Sequence, residues 1–212
     1  MSSMNFPKNN IRGFMLDGDY AAIQEICSQF QDREFVSVFE IGTLYGKSAV
    51  VFDDCLSNVK HHITTADVCE GWTGPTEQMM NDFGLDDDFR LQVQLNRSTA
   101  EEQYREIQEN IAGRDISFVR QRWTIDSPWP AYPRPNIVFY DGSHSYTETR
   151  DVLNFWYPKM SKGDIIAIDD YSDTQWFDLK KAVDEFCDYH GVEINKYKDS
   201  KIISLVIGEY NA

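Results

Sequence analysis

The chain has 212 residues, 42% of them apolar and 14% aromatic, so it can bury a sizeable core and is too apolar to remain disordered. A formal net charge of -15 argues against nucleic acid or an anionic membrane as a partner, because like charges repel. Cys27, Cys55, Cys69 and Cys187 form no C-x-x-C pair, the N-terminus is too polar for a secretory signal, and no apolar run reaches membrane-span length, which together predict a cytoplasmic protein with reduced thiols.

Residues 1–17 are polar and are expected to be loosely ordered. Residues 19–30 predict a helix, with Ala22, Ile23, Ile26, Cys27 and Phe30 at helical spacing, and its expected role is core packing. Residues 1–34 then form a helical extension ahead of the rest of one 1–212 domain. Residues 36–41 have the β-branched and aromatic character of a buried strand, with an acid, Glu40, near its end. Gly42 and Gly46 bracket a tight turn, and residues 48–56 predict a helix. A strand, a glycine turn and a helix N-terminus present backbone N–H groups to a ligand.

Three ligand readings compete for this turn, against an ordinary strand-to-helix connection. Gly42-Thr43-Leu44-Tyr45-Gly46-Lys47-Ser48 looks like a phosphate loop but is one residue short between its glycines. The spacing of a dinucleotide fingerprint is absent. The third reading is the first motif of class I S-adenosylmethionine (SAM) methyltransferases, an acid followed by Gly-x-x-x-Gly.

Residues 61–68 predict the second strand, ending in Asp67, a residue type able to accept from both ribose hydroxyls. Residues 69–75 read as a loop, and Thr76 as the cap of a short helix carrying Met79, Met80 and Phe83. Asp86 to Asp88 read as a solvated acidic run. Residues 100–111 predict a strong helix stopped by Gly113, and residues 116–121 the third strand. Residues 123–135 hold four prolines interleaved with Trp123, Trp129 and Tyr132, which predicts a rigid loop suited to lining a pocket or plugging the sheet. Residues 136–140 and 165–168 are buried strands, with helices at 148–156 and 176–189. Residues 192–197 and 201–207 predict a closing antiparallel strand pair. The alternation implies an α/β fold, a doubly wound, mostly parallel, Rossmann-like sheet.

In such sheets the ligand lies beyond the carboxyl ends of the strands. That rule places Glu40, Gly42, Gly46, Asp67, Asp141, His144, Asp169 and Asp170 on one rim. Strand neighbours lie about 4.8 Å apart, so Asp141, Asp169 and Asp170 are placed to share a hard divalent cation such as Mg²⁺, provided the strand has turned before Asp170. His144 is the histidine on this rim and is a candidate base. His61, His62 and His190 read as surface or strand-edge residues.

Phe39-Glu40-Ile41-Gly42-Thr43-Leu44-Tyr45-Gly46-Lys47-Ser48, then Asp67, then Asp141-Gly142-Ser143-His144-Ser145-Tyr146, then Tyr157-Pro158-Lys159 through Asp169-Asp170-Tyr171, resemble a class I SAM-dependent methyltransferase. The group is the one with Asp-Gly-x-His-Ser-Tyr after the fourth strand, and the last run also resembles macrocin-type sugar O-methyltransferases. The resemblance implies SAM held around Glu40, Gly42, Thr43, Gly46, Ser48, Asp67 and Asp141. Metal-dependent members imply a divalent cation at Asp141, Asp169 and Asp170, with His144 or Asp141 as the base. The expected partner is a small hydroxylated acceptor such as a sugar, and the expected assembly a homodimer. In this reading Lys47 is a solvated first-turn residue. A nucleotide-hydrolysing phosphate-loop enzyme and a SAM-binding protein without turnover are the rivals.

Overall fold

The computed structural model describes residues 11–82, 84, 86–127, 134–172 and 175–208. The expectations for residues 1–10, for Phe83 and for residues 128–133 of the proline-rich loop lie outside the described residues. The strands are β1 (Val36–Ile41), β2 (His61–Asp67), β3 (Ile116–Arg120), β4 (Ile137–Tyr140), β5 (Ile165–Ile168), β6 (Ile194–Lys196) and β7 (Ile203–Val206). They form one seven-stranded sheet in the order β3-β2-β1-β4-β5-β7-β6. Pairings from β3 through β5 are parallel, while β7 runs antiparallel to both β5 and β6. The predicted mostly parallel, Rossmann-like sheet with a closing antiparallel pair is therefore the fold observed.

The helices are α1 (Asp17–Ser28), α2 (Lys47–Cys55), α3 (Glu77–Asp82), α4 (Asp87–Asn96), α5 (Ala100–Ile111), α6 (Tyr146–Trp156) and α7 (Phe177–His190). Alternate strand residues face opposite sides. Val36, Val38, Ile63 and Ile137 pack under α1, α2 and α5. Phe39, Ile41, Val138 and Ile166 pack under α6 and α7. Each such fully buried Val, Ile or Phe contributes about 1.5–3 kcal/mol of transfer free energy.

Two expectations are corrected. Asp86 to Asp88 are not merely a solvated run: the Asp86 carboxylate accepts from the Phe89 amide at 2.8 Å and starts α4, with Asp87 and Asp88 in its first turn. Acids there favour the positive end of the helix dipole. The end of the N-terminal segment is also anchored. Arg12 pairs with Glu106, bonds to the carbonyls of Leu95 and Arg97, and lies over the Tyr45 ring at 4.3 Å. Thr76 does cap α3, accepting from the Met79 amide at 3.2 Å. The four cysteines are free, and Cys55 is only partly buried.

Candidate active site

The parallel register aligns the ends of the central strands, since Ile41 pairs with Ala66 and with Tyr140, and Tyr140 with Ile168. Each next residue reaches the rim: Gly42, Asp67, Asp141 and Asp169. Over this rim lies a cavity of about 730 Å³, within the range of about 300–1,000 Å³ usual for small-ligand sites. Phe14, Met15, Trp72, Met79 and Phe89 form its apolar wall, and Asp67, Glu70, Asp141, Asp169 and Asp170 give it an acidic side.

The β1–α2 turn forms part of the floor. Gly42 and Gly46 have φ of 84° and 83°, a left-handed conformation that glycine adopts without penalty. A Cβ on Gly42 would lie 1.9 Å from the Asp141 carbonyl oxygen. Gly42 is thus required by the neighbouring strand end rather than by close approach of a ligand. Gly46 is the N-cap of α2 and, having no side chain, offers its first amides no side-chain cap. Thr43, Leu44, Lys47 and Ser48 line the cavity. Lys47 is half-buried rather than solvated, its ammonium donates to the Gly13 carbonyl at 3.4 Å, and burial lowers its pKa.

Glu40 is not on the cavity wall. Strand alternation points it under α2, fully buried, where it accepts from the Ser48 and Thr65 hydroxyls. Burial raises its pKa to about 7, against those hydroxyl bonds. Asp67 ties the cradle together. One oxygen accepts from the Thr43 and Leu44 amides at 3.0 and 3.1 Å, and the other from the Cys69 amide at 2.8 Å and from Gln103 at 3.2 Å. Those four donors match the roughly four acceptor sites of a carboxylate. Gln103 of α5 also bonds to the Leu44 carbonyl and the Gly71 amide.

Asp141-Gly142-Ser143-His144-Ser145-Tyr146 is a strand-to-helix device. Ser145 caps α6, accepting from the Glu148 amide, and Glu148 returns to accept from the Ser143 amide at 2.9 Å. His144 adopts φ of 56°, which turns its ring into the cavity. The ring stacks on Trp176 with centroids 4.5 Å apart and planes at 19°. Its Nε2 lies 3.4 Å from Asp141 Oδ1 and 3.3 Å from Asp170 Oδ2, buried and without a hydrogen bond among the described residues. Burial disfavours the imidazolium, but the two facing carboxylates outweigh it and raise the pKa. Burial also raises the Asp141 pKa, and repulsion from Asp170 adds to it.

Asp170 also sits at positive φ, 59°, so the chain has turned before it and adjacent acids diverge. Asp169 is buried and accepts from the Asp170 amide at 2.7 Å. The donor atoms of Asp141, His144 and Asp170 come within 4.8 Å of one another. His144 thus stands where the sequence reading put Asp169. Lys201, from the turn before β7, bonds to the outer oxygen of Asp170. An imidazole and an ammonium in the cluster do not fit an all-oxygen Mg²⁺ site. Sequence reasoning missed Lys201, Trp176, Gln103 and the Arg12–Met15 wall, none of which belongs to a motif.

The model for a methyltransferase domain matches residues 39–171. No curated protein sequence matches the chain. Among solved structures, the O-methyltransferase NovP is 18% identical with a TM-score of 0.62, over 90% of this chain and 79% of that one. CalS11, a TDP-rhamnose 3'-O-methyltransferase of calicheamicin biosynthesis, is 14% identical with a TM-score of 0.56, over 90% and 79%. The S-adenosylhomocysteine (SAH)-bound methyltransferase PaMTH1 of Podospora anserina is 13% identical with a TM-score of 0.53, over 97% and 83%. No helix among the described residues is long and apolar enough to cross a membrane.

Proposed function

Because the chain belongs to the methyltransferase domain family, we propose that it methylates a hydroxyl of a small acceptor, such as a sugar, with SAM as donor. The observation that carries the O-methyl reading is His144 Nε2, buried on the cavity, set between two carboxylates and without a hydrogen bond among the described residues. The site fits SAM in the character of its walls. The uncapped N-terminus of α2, with Lys47 beside it, suits the carboxylate of an amino acid. The acidic side suits a cation, and Glu70, exposed on the same wall, suits the ribose hydroxyls that Asp67 has little free capacity to accept. Bound there, SAM supplies a methyl group on a positively charged sulfur.

The protein's contribution is mainly placement, since aligning two reactants removes much of the barrier. The aromatic wall excludes water and stacks on the acceptor. His144 takes the acceptor's hydroxyl proton, and Asp141 and Asp170 stabilise the imidazolium that forms. Asp141 is the neighbouring candidate for the same proton. The negative surface, at -15 overall, favours an uncharged acceptor over a nucleic acid. Magnesium has no part in this reading, because the cluster described above does not suit it. The phosphate-loop reading gives way to the family assignment.

The test is incubation with isotopically methyl-labelled SAM and a panel of sugars and phenols, read by mass spectrometry. The reading expects label on an acceptor oxygen. Label confined to nitrogen or carbon, or SAM binding with no transfer to any acceptor, contradicts it.

A further inference from the structure

Three carboxylates crowd the rim, and the structure already brings a cation to them. Lys201 reaches Asp170 from outside every motif, and its side chain is only 17% exposed. Its backbone is clamped rather than loose. The Lys201 amide and the Ser200 hydroxyl both donate to Asp19 Oδ1, at 3.0 and 2.7 Å, and Asp19 is a fully buried acid of α1. Asp19 Oδ2 accepts from the Leu16 amide at 2.8 Å. Gly18 lets the two segments touch, since a Cβ there would lie 1.8 Å from the Asp199 carbonyl oxygen. The first turn of α1 therefore holds the β6–β7 turn in the one place from which a lysine reaches the rim.

We propose that the Lys201 ammonium is the resident cation of the Asp141–His144–Asp170 cluster, taking the place of a divalent metal ion, so that methyl transfer here needs no metal. It is a positioning residue: it holds Asp170 against His144 and offsets the negative charge that a bare acid cluster would impose on a deprotonating acceptor. A lysine ammonium and a divalent ion cannot share these oxygens without strong repulsion. The role in turnover rests on the methyltransferase reading, but the exclusion of metal does not.

The experiment is Mn²⁺ titration of the full chain, followed by loss of the free-ion electron paramagnetic resonance signal, with SAH calorimetry on the same sample. Wild type is expected to bind Mn²⁺ weakly, with Kd above about 1 mM. K201M, which leaves Asp141, His144 and Asp170 free to ligate, is expected to bind at least about ten-fold more tightly. K201R keeps the charge and is expected to behave as wild type, which covers the case in which K201M does not fold. Wild-type turnover is expected to survive EDTA, and Mn²⁺ is expected to restore turnover to K201M. A merely structural lysine would change stability without creating a metal site. Tight Mn²⁺ binding by wild type, or a folded K201M that binds Mn²⁺ no better, overturns the proposal. Absence of SAH binding overturns the methyltransferase reading instead.

Discussion

Glu40 gives a sharp test, because its burial predicts a specific change of stability with pH. The side chain has no exposed surface, and its pKa is raised from 4.5 to about 7. A folded value above the unfolded one means that the native state holds the proton more tightly. That contribution is complete below about pH 4.5 and is lost as pH rises through about 7. At about 1.4 kcal/mol per pH unit the loss totals about 3 kcal/mol, most of it between pH 5 and pH 8. Glu40→Gln keeps the shape and removes the titration. Its stability relative to wild type is therefore expected to improve by about 2 kcal/mol or more over that interval, whatever fixed offset the amide introduces at Ser48 and Thr65. Urea unfolding of both proteins at the two pH values, followed by the fluorescence of the five tryptophans, measures it. A difference between the two proteins that stays constant to within about 1 kcal/mol would refute the assignment of Glu40 as a buried, largely neutral acid.

The two turn glycines separate strain from collision. Gly42→Ala meets a backbone oxygen at 1.9 Å and is expected to cost at least about 3 kcal/mol, whereas Gly46→Ala comes no nearer to a neighbour than an Ile111 methyl at 3.4 Å and is expected to cost about 1–2 kcal/mol from its dihedral alone; urea midpoints rank them. Asp67→Asn loses acceptor capacity for four donors, so thermal melting is expected to fall and SAH affinity to weaken by about ten-fold or more; unchanged affinity in calorimetry counts against the cradle. His144→Ala is expected to lower kcat about 10²–10⁴-fold with little change in SAH binding; a loss under ten-fold in steady-state assays removes it as the base.

The five parallel strands were legible because their residues are mostly apolar and β-branched, and each ends at a charge or a glycine. The rim followed from the rule that ligands sit at strand carboxyl ends. What the sequence could not give was which side chains point into the cavity. Glu40 and Asp67 lie on the same side of the sheet by alternation, yet one ends under α2 and the other in the turn above it. Asp169 and Asp170 are neighbours, but a left-handed residue sends the second to His144. Helix α4 escaped notice because Leu91 and Leu95 are exposed, which blurs the apolar period that would mark a helix. Lys201 sits in a short β turn, and it becomes significant only through Asp19, 182 residues earlier.

Calorimetric titration of SAH into the full chain, in EDTA, decides whether the rim cavity is a SAM site. One molecule is expected to bind per chain with a Kd in the micromolar range, about -7 to -8 kcal/mol, and Asp67→Asn is expected to bind more weakly. No heat with SAH or SAM, in a preparation that does bind ATP, would contradict it.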